Sequence, residues 1–165
     1  MVLFTHSYFL EDDPKEAVIM KPYPPLGILY LAAWLDRHGV ENDVFDSTFS
    51  SKSIQKEAIL AEKPAILAIY TNLVTKLNVL ELIRFVKNEP RLSDTLIVLG
   101  GPDVTHNIDN YLACGADVIV VGEGEQTMLE IAQTVQNGNR TQFGHIDGLA
   151  FRLEDGSVFH TKSRE

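Results

Sequence analysis

Apolar positions along this chain come in short unbroken blocks separated by longer segments of helical period. The blocks VLFT (2–5), AILAIY (65–70), TLIVLG (95–100) and ADVIVV (116–121) have the pattern of strands covered on both faces. A shorter block, DVFD (43–46), predicts one more strand. Between the blocks, Val79, Leu82, Ile83 and Val86 follow the i, i+3, i+4, i+7 spacing of a buried helix face. Met128, Ile131, Ala132 and Val135 repeat that spacing. LGILYLAAWLDRHG reads as a helix entered at Pro25 and closed at Gly39, since proline suits a first turn and glycine a left-handed cap. A weaker helix spans 53–62 and stops at Pro64, and a short one carries Ile108, Tyr111 and Leu112. Five strands alternating with five helices predict a doubly wound, flavodoxin-like α/β domain over residues 1–144. In such a sheet a ligand belongs at the carboxyl ends of the strands.

Two segments break the alternation. The stretch from the first strand to Pro25 is acidic and proline-rich, and too long for an ordinary β-to-α connection; loops of that length are commonly functional. In the tail, Asp155-Gly156 predicts a two-residue hairpin turn that sets Leu153 opposite Val158 and Phe151 opposite His160. Residues 145–165 are therefore expected to extend the sheet edge and to lead toward a further domain. On the first long helix Ile28, Leu31, Ala32 and Leu35 form the sheet-facing stripe. Tyr30 and Trp34 form a second apolar pair, suited either to an interface or to burial under the first loop.

The composition, 45% hydrophobic and 22% charged over 165 residues, is that of one globular domain. With 14 Lys+Arg against 23 Asp+Glu the net charge is −9, which argues against nucleic acid or an anionic membrane as partner. No apolar run approaches the roughly 18 residues of a membrane span. The N-terminus has no basic segment of a secretory signal, so a cytoplasmic location is expected. Cys114 is the single cysteine, which excludes an internal disulfide and any all-cysteine metal site within this chain.

The loops at the strand ends match none of the common phosphate signatures. There is no P-loop string, and the single GxG, Gly122-Glu123-Gly124, follows the fifth strand rather than the first. A phospho-receiver would need an aspartate where the third strand ends in Tyr70. What remains is a set of irregular loops: Tyr23-Pro24-Pro25-Leu26-Gly27, Thr71-Asn72-Leu73-Val74-Thr75, Gly100-Gly101-Pro102-Asp103 and Gly122-Glu123-Gly124-Glu125. Glycine lets backbone approach a ligand, and the Thr71 hydroxyl and Asn72 amide can bond an uncharged, amide-rich one. The same strings also serve as plain tight turns. Glu123 and Glu125 suit a helix N-terminus, and Cys114 a buried helix end.

PPLGILYLAAWLDRHGVENDVFD, VLGGPDVTH, ADVIVVGEGEQTMLEIA and IDGLAFRLEDGSV, in that order, resemble the N-terminal cobalamin-binding-type domain of radical S-adenosylmethionine proteins. Methyltransferases and magnesium-protoporphyrin ester cyclases belong to that group. The resemblance implies a cobalamin-binding module, with Leu26 and Gly27 under the corrin ring. Thr71, Asn72, Gly100, Gly101, Pro102, Gly122 and Gly124 would line the pocket of the nucleotide tail. It further implies a C-terminal catalytic domain in the parent chain, whose CxxxCxxC motif holds a 4Fe-4S cluster beside S-adenosylmethionine. Neither would be held here, so this chain alone is expected to be non-catalytic. The cobalt-ligating motif DxHxxG is broken around His6, with Phe4 and Phe9 at its outer positions. Cobalt is thus expected to lack a histidine ligand from this chain, and Phe4 cannot orient an imidazole as a carboxylate would. The alternatives are a cofactor-free docking or substrate-recognition domain of the same architecture, or an unrelated small-ligand α/β domain.

Overall fold

The computed structural model describes residues 1–139 and 142–164. Its strands are β1 (Val2–His6), β2 (Asn42–Phe45), β3 (Ile66–Tyr70), β4 (Leu96–Gly100), β5 (Val118–Val120), β6 (Leu149–Arg152) and β7 (Val158–His160). They form one sheet in the order β2-β1-β3-β4-β5-β6-β7. The first five are parallel, the flavodoxin-type order, whereas β6 and β7 add antiparallel to the β5 edge. The tail hairpin thus continues the sheet, which has seven strands.

The helices are α1 (Pro14–Ile19), α2 (Leu26–Arg37), α3 (Lys52–Glu62), α4 (Lys76–Asn88), α5 (Ile108–Ala113) and α6 (Glu125–Gln136). α2 and α6 cover one face of the sheet through Ile28, Ala32, Leu35, Met128, Ile131 and Val135. α3, α4 and α5 cover the other through residues that include Ile59, Val79, Leu82, Ile83 and Tyr111. Both helical stripes read from the sequence are buried as predicted. α2 ends as its glycine predicts: Gly39 takes φ +70°, its amide donates to the Asp36 carbonyl, and the Val40 amide donates to Leu35.

Two expectations need correction, and one open reading is decided. The long first connection is not wholly irregular but contains α1, giving six α-helices among the described residues rather than five. Asp13 caps it by accepting from the Lys15 and Glu16 amides, yet α1 buries none of its side chains, so it left no periodic trace. The hairpin register is shifted by one: Arg152 pairs with Val158 and Phe151 with Phe159. Gly156, at φ +85°, and the Asp155 carboxylate, which accepts from the Ser157 amide and hydroxyl, close a three-residue loop between Leu153 and Ser157. Of the two readings for Tyr30 and Trp34 neither covers both residues: Tyr30 is 67% exposed, while Trp34 packs partly buried against the core, its ring tilted against that of His38 at 4.7 Å between centroids.

Candidate functional site

At the carboxyl end of the sheet, between α2 and α6, lies a cavity of about 130 Å³. Its floor is made by Phe4, Ala68, Val98 and Val120, one from each of four parallel strands. Ile28 and Leu31 wall it on the α2 side and Met128 on the α6 side. Ile69 and glycines 27, 100, 101, 122 and 124 complete the lining. Tyr70 is the lining residue whose side chain carries a hydroxyl. Its ring stands between two of the glycines: a Cβ on Gly27 would lie 3.9 Å from the ring, and one on Gly101 3.0 Å.

Five of the nine residues singled out from the sequence, namely these five glycines, therefore meet around one cavity. The other four do not line it. Leu26 stands 60% exposed at the start of α2, and Pro102 is exposed on the loop after β4. Thr71 is fully buried, its hydroxyl 3.2 Å from the Tyr111 hydroxyl. Asn72 closes the entry to α4, its side-chain carbonyl accepting from the Thr75 backbone amide while its backbone N–H donates to the Thr75 hydroxyl. The Thr71 hydroxyl and the Asn72 side-chain carbonyl are thus spent on the protein itself.

The glycines have different reasons. Gly101, at φ +110°, has no room for any side chain, because a Cβ there would run into the Thr71 carbonyl. The need for glycine at this position comes from the neighbouring backbone, not from a ligand. Gly122, at φ +88°, faces open space, and a Cβ on Gly124 would come within 3.1 Å of Leu31, where α2 and α6 approach.

Behind the β4 loop is a polar cluster that the sequence reading missed. The Tyr111 hydroxyl donates to Asp103 at 2.6 Å, and Lys76 reaches the same carboxylate at 3.2 Å while lying 5.6 Å from the centre of the Tyr111 ring. Burial, helped by the neighbouring carboxylate, pushes Tyr111 up to about 12. The Tyr111 hydrogen bond holds Asp103 below the usual carboxylate range against its partial desolvation, and Lys76 assists. Tyr111 looked like one residue of an apolar stripe; only the fold shows where its hydroxyl points.

His6 is 4% exposed at the end of β1. Its Nε2 lies 2.9 Å from Asp46 Oδ1, and its Nδ1 accepts from the Tyr8 amide at 3.2 Å. That acceptance assigns the ring proton to Nε2, which donates to Asp46. The carboxylate that orients this imidazole thus comes from the end of β2, a partner the reading around Phe4 did not foresee. Glu125 lies in the first turn of α6, and Cys114 caps α5 only partly buried. No described helix is long and apolar enough to cross a membrane.

An open α/β sheet with a small apolar cavity at its carboxyl end defines a domain that holds a small organic ligand or cofactor. The family model of the B12 binding domain matches residues 17–132. The chain belongs to that family. It is 30% identical, over 97% of its residues, to an anaerobic magnesium-protoporphyrin IX monomethyl ester cyclase of Rubrivivax gelatinosus. A protein of the same name from Synechocystis sp. is also 30% identical, over 86% of this chain. The chain spans 29% and 28% of the lengths of these relatives, less than a third. Among solved structures, OxsB, a cobalamin-dependent S-adenosylmethionine radical enzyme with aqua-cobalamin bound, superposes with a TM-score of 0.82. It does so over 99% of this chain and 22% of its own, at 16% identity. The apo form of OxsB gives 0.75. The likeness shows a shared fold.

Proposed function

We propose that this chain binds cobalamin, with the nucleotide tail entering the cavity between α2 and α6 and the corrin ring lying over the carboxyl end of the sheet. The observation that carries the reading is the cavity itself: a strand-end void left by Ala68 on its floor and by Gly27 and Gly100, each with room for a Cβ. An apolar heterocycle fits such a lining. Gly27, Gly100, Gly101, Gly122 and Gly124 would surround the tail, and Leu26 would lie beside the ring. Thr71, Asn72 and Pro102 would serve by holding the loops after β3 and β4. Cobalt would receive no imidazole from His6, because both of its nitrogens are already engaged within the protein.

When bound, cobalamin supplies a cobalt centre for redox or methyl-transfer chemistry. The residues here position it and contribute no catalytic group of their own. We assign the 4Fe-4S cluster and S-adenosylmethionine to a catalytic domain elsewhere in a longer parent, reached through residues 145–165, of which Glu165 lies outside the described residues. An apolar rim supports docking of that domain at the same end of the sheet. Tyr23 is 92% exposed, and Leu73 and Leu77 are each 79% exposed. The test is titration with hydroxocobalamin followed by gel filtration and absorbance. Co-elution near one equivalent is expected; its absence would defeat the proposal.

A further inference from the structure

The cavity differs from most small-molecule sites in how little polar chemistry it offers. Ligand pockets usually combine an apolar wall with a few placed polar groups that fix orientation. Here the floor and walls are aromatic or aliphatic carbon, with the Met128 thioether as a weak acceptor and Tyr70 as the single hydroxyl. Some backbone polarity is also already used. The Gly100 carbonyl accepts from Thr71 at 2.8 Å and the Gly124 carbonyl from Met128 at 2.8 Å. His6, two residues beyond Phe4 on β1, is bonded to Asp46 and Tyr8.

Resting on cobalamin binding as proposed above, we infer that this lining selects among corrinoids by the chemistry of their tail base, accepting apolar benzimidazole or phenolic bases and rejecting adenine. Size admits an aromatic ring but does not separate the bases, since adenine is no larger than a methylated benzimidazole; the chemistry of the lining decides. A dry cavity of about 150 Å³ admits benzene, so one of about 130 Å³ takes an aromatic ring by dispersion and apolar burial alone. Adenine is equally flat but carries additional ring nitrogens and an exocyclic amine. Against Ala68, Val98 and Val120 those groups would lose water and gain no partner. A released benzimidazole gives up water at one ring nitrogen and a phenol ring at none, fewer than adenine does. Selection would come from the penalty on the wrong base, not from a bond to the right one.

The test compares three corrinoids in their dicyano forms, where cyanide fills both axial positions and frees every tail base from cobalt. Dicyanocobalamin, the dicyano adeninyl analogue and tail-less dicyanocobinamide are titrated against the unmodified chain and followed by absorbance and co-elution. Dicyanocobalamin is expected to bind about tenfold or more tightly than the adeninyl analogue, the discrimination one unpaired buried polar group produces. It should also exceed dicyanocobinamide. Equal affinities for the two complete corrinoids overturn the selection. Cobinamide binding as well as cobalamin overturns it too, by showing that the tail does not use the cavity, but leaves corrinoid binding intact. If none of the three binds, and hydroxocobalamin also fails, the proposed function falls with it. As a second arm, Met128→Gln places an amide in the wall and should narrow the preference at least threefold; an unchanged ratio in a folded variant counts against the inference.

Discussion

The Tyr111 hydroxyl donates a 2.6 Å hydrogen bond to the Asp103 carboxylate, tying α5 to the loop that follows β4. Because Tyr111 is 1% exposed, loss of this bond should be felt in stability. Tyr111→Phe is expected to cost about 1–3 kcal/mol, the range for removing a bond to a charged partner. The pH dependence has two limbs. Tyr111 is raised to about 12 from 10.0, so its contribution is complete below pH 10 and lost as the pH climbs toward 12. Asp103 is lowered from 3.8, so its contribution is present above that value and disappears as the pH falls through the depressed one. Urea titrations at neutral, acid and alkaline pH should show the variant with a flatter alkaline limb. An unchanged limb would contradict the assignment.

Gly101 and Gly122 both hold positive φ, but only Gly101 is crowded. Gly122→Ala should cost about 1–2 kcal/mol, the price of the backbone conformation alone. Gly101→Ala should cost more, about 3 kcal/mol or above, since the β3 end must also move away from the new Cβ. Equal shifts in denaturation midpoint would mean that the close approach to Thr71 is relaxed at little cost. Loss of ligand in a Gly101 variant, by the same geometry, reports on folding before it reports on contact.

Ala68 stands on the cavity floor, where added methyl groups meet empty space. Ala68→Val should raise the stability of the unliganded protein by about 1 kcal/mol, from added apolar burial and a better strand residue. The same change should weaken cobalamin binding. A variant that is stabilised yet binds undiminished would separate the cavity from the ligand.

His6 ties the end of β1 to Asp46 and to the turn at Tyr8. His6→Ala should destabilise the fold by about 1–2 kcal/mol through the unpaired, part-buried Tyr8 amide. The absorption and electron paramagnetic resonance spectra of bound cobalamin should not change. Loss of a nitrogen-ligated cobalt signal in this variant would make His6 a ligand and overturn the proposed absence of a protein imidazole.

Local patterns determined much of this protein. The four-residue stripes of α4 and α6, the blocks that became β1 and β3 to β5, and the Gly39 cap were legible because periodicity and backbone preference act over a few residues. The glycines around the cavity were legible as a group, though not the separate cause for each. α1 was invisible because a helix that buries nothing leaves no apolar period. The hairpin strands were read, but their register turned on one left-handed glycine and one carboxylate, and a one-residue slip there exchanges the two faces. Tertiary structure alone decided the rest. It brought Asp46 to His6 across 40 residues, gave Thr71 to Tyr111, and opened a void between α2 and α6. Hydrogen bonds and cavities depend on distances between elements remote in the chain, and those distances exist only once the sheet has brought its strand ends together.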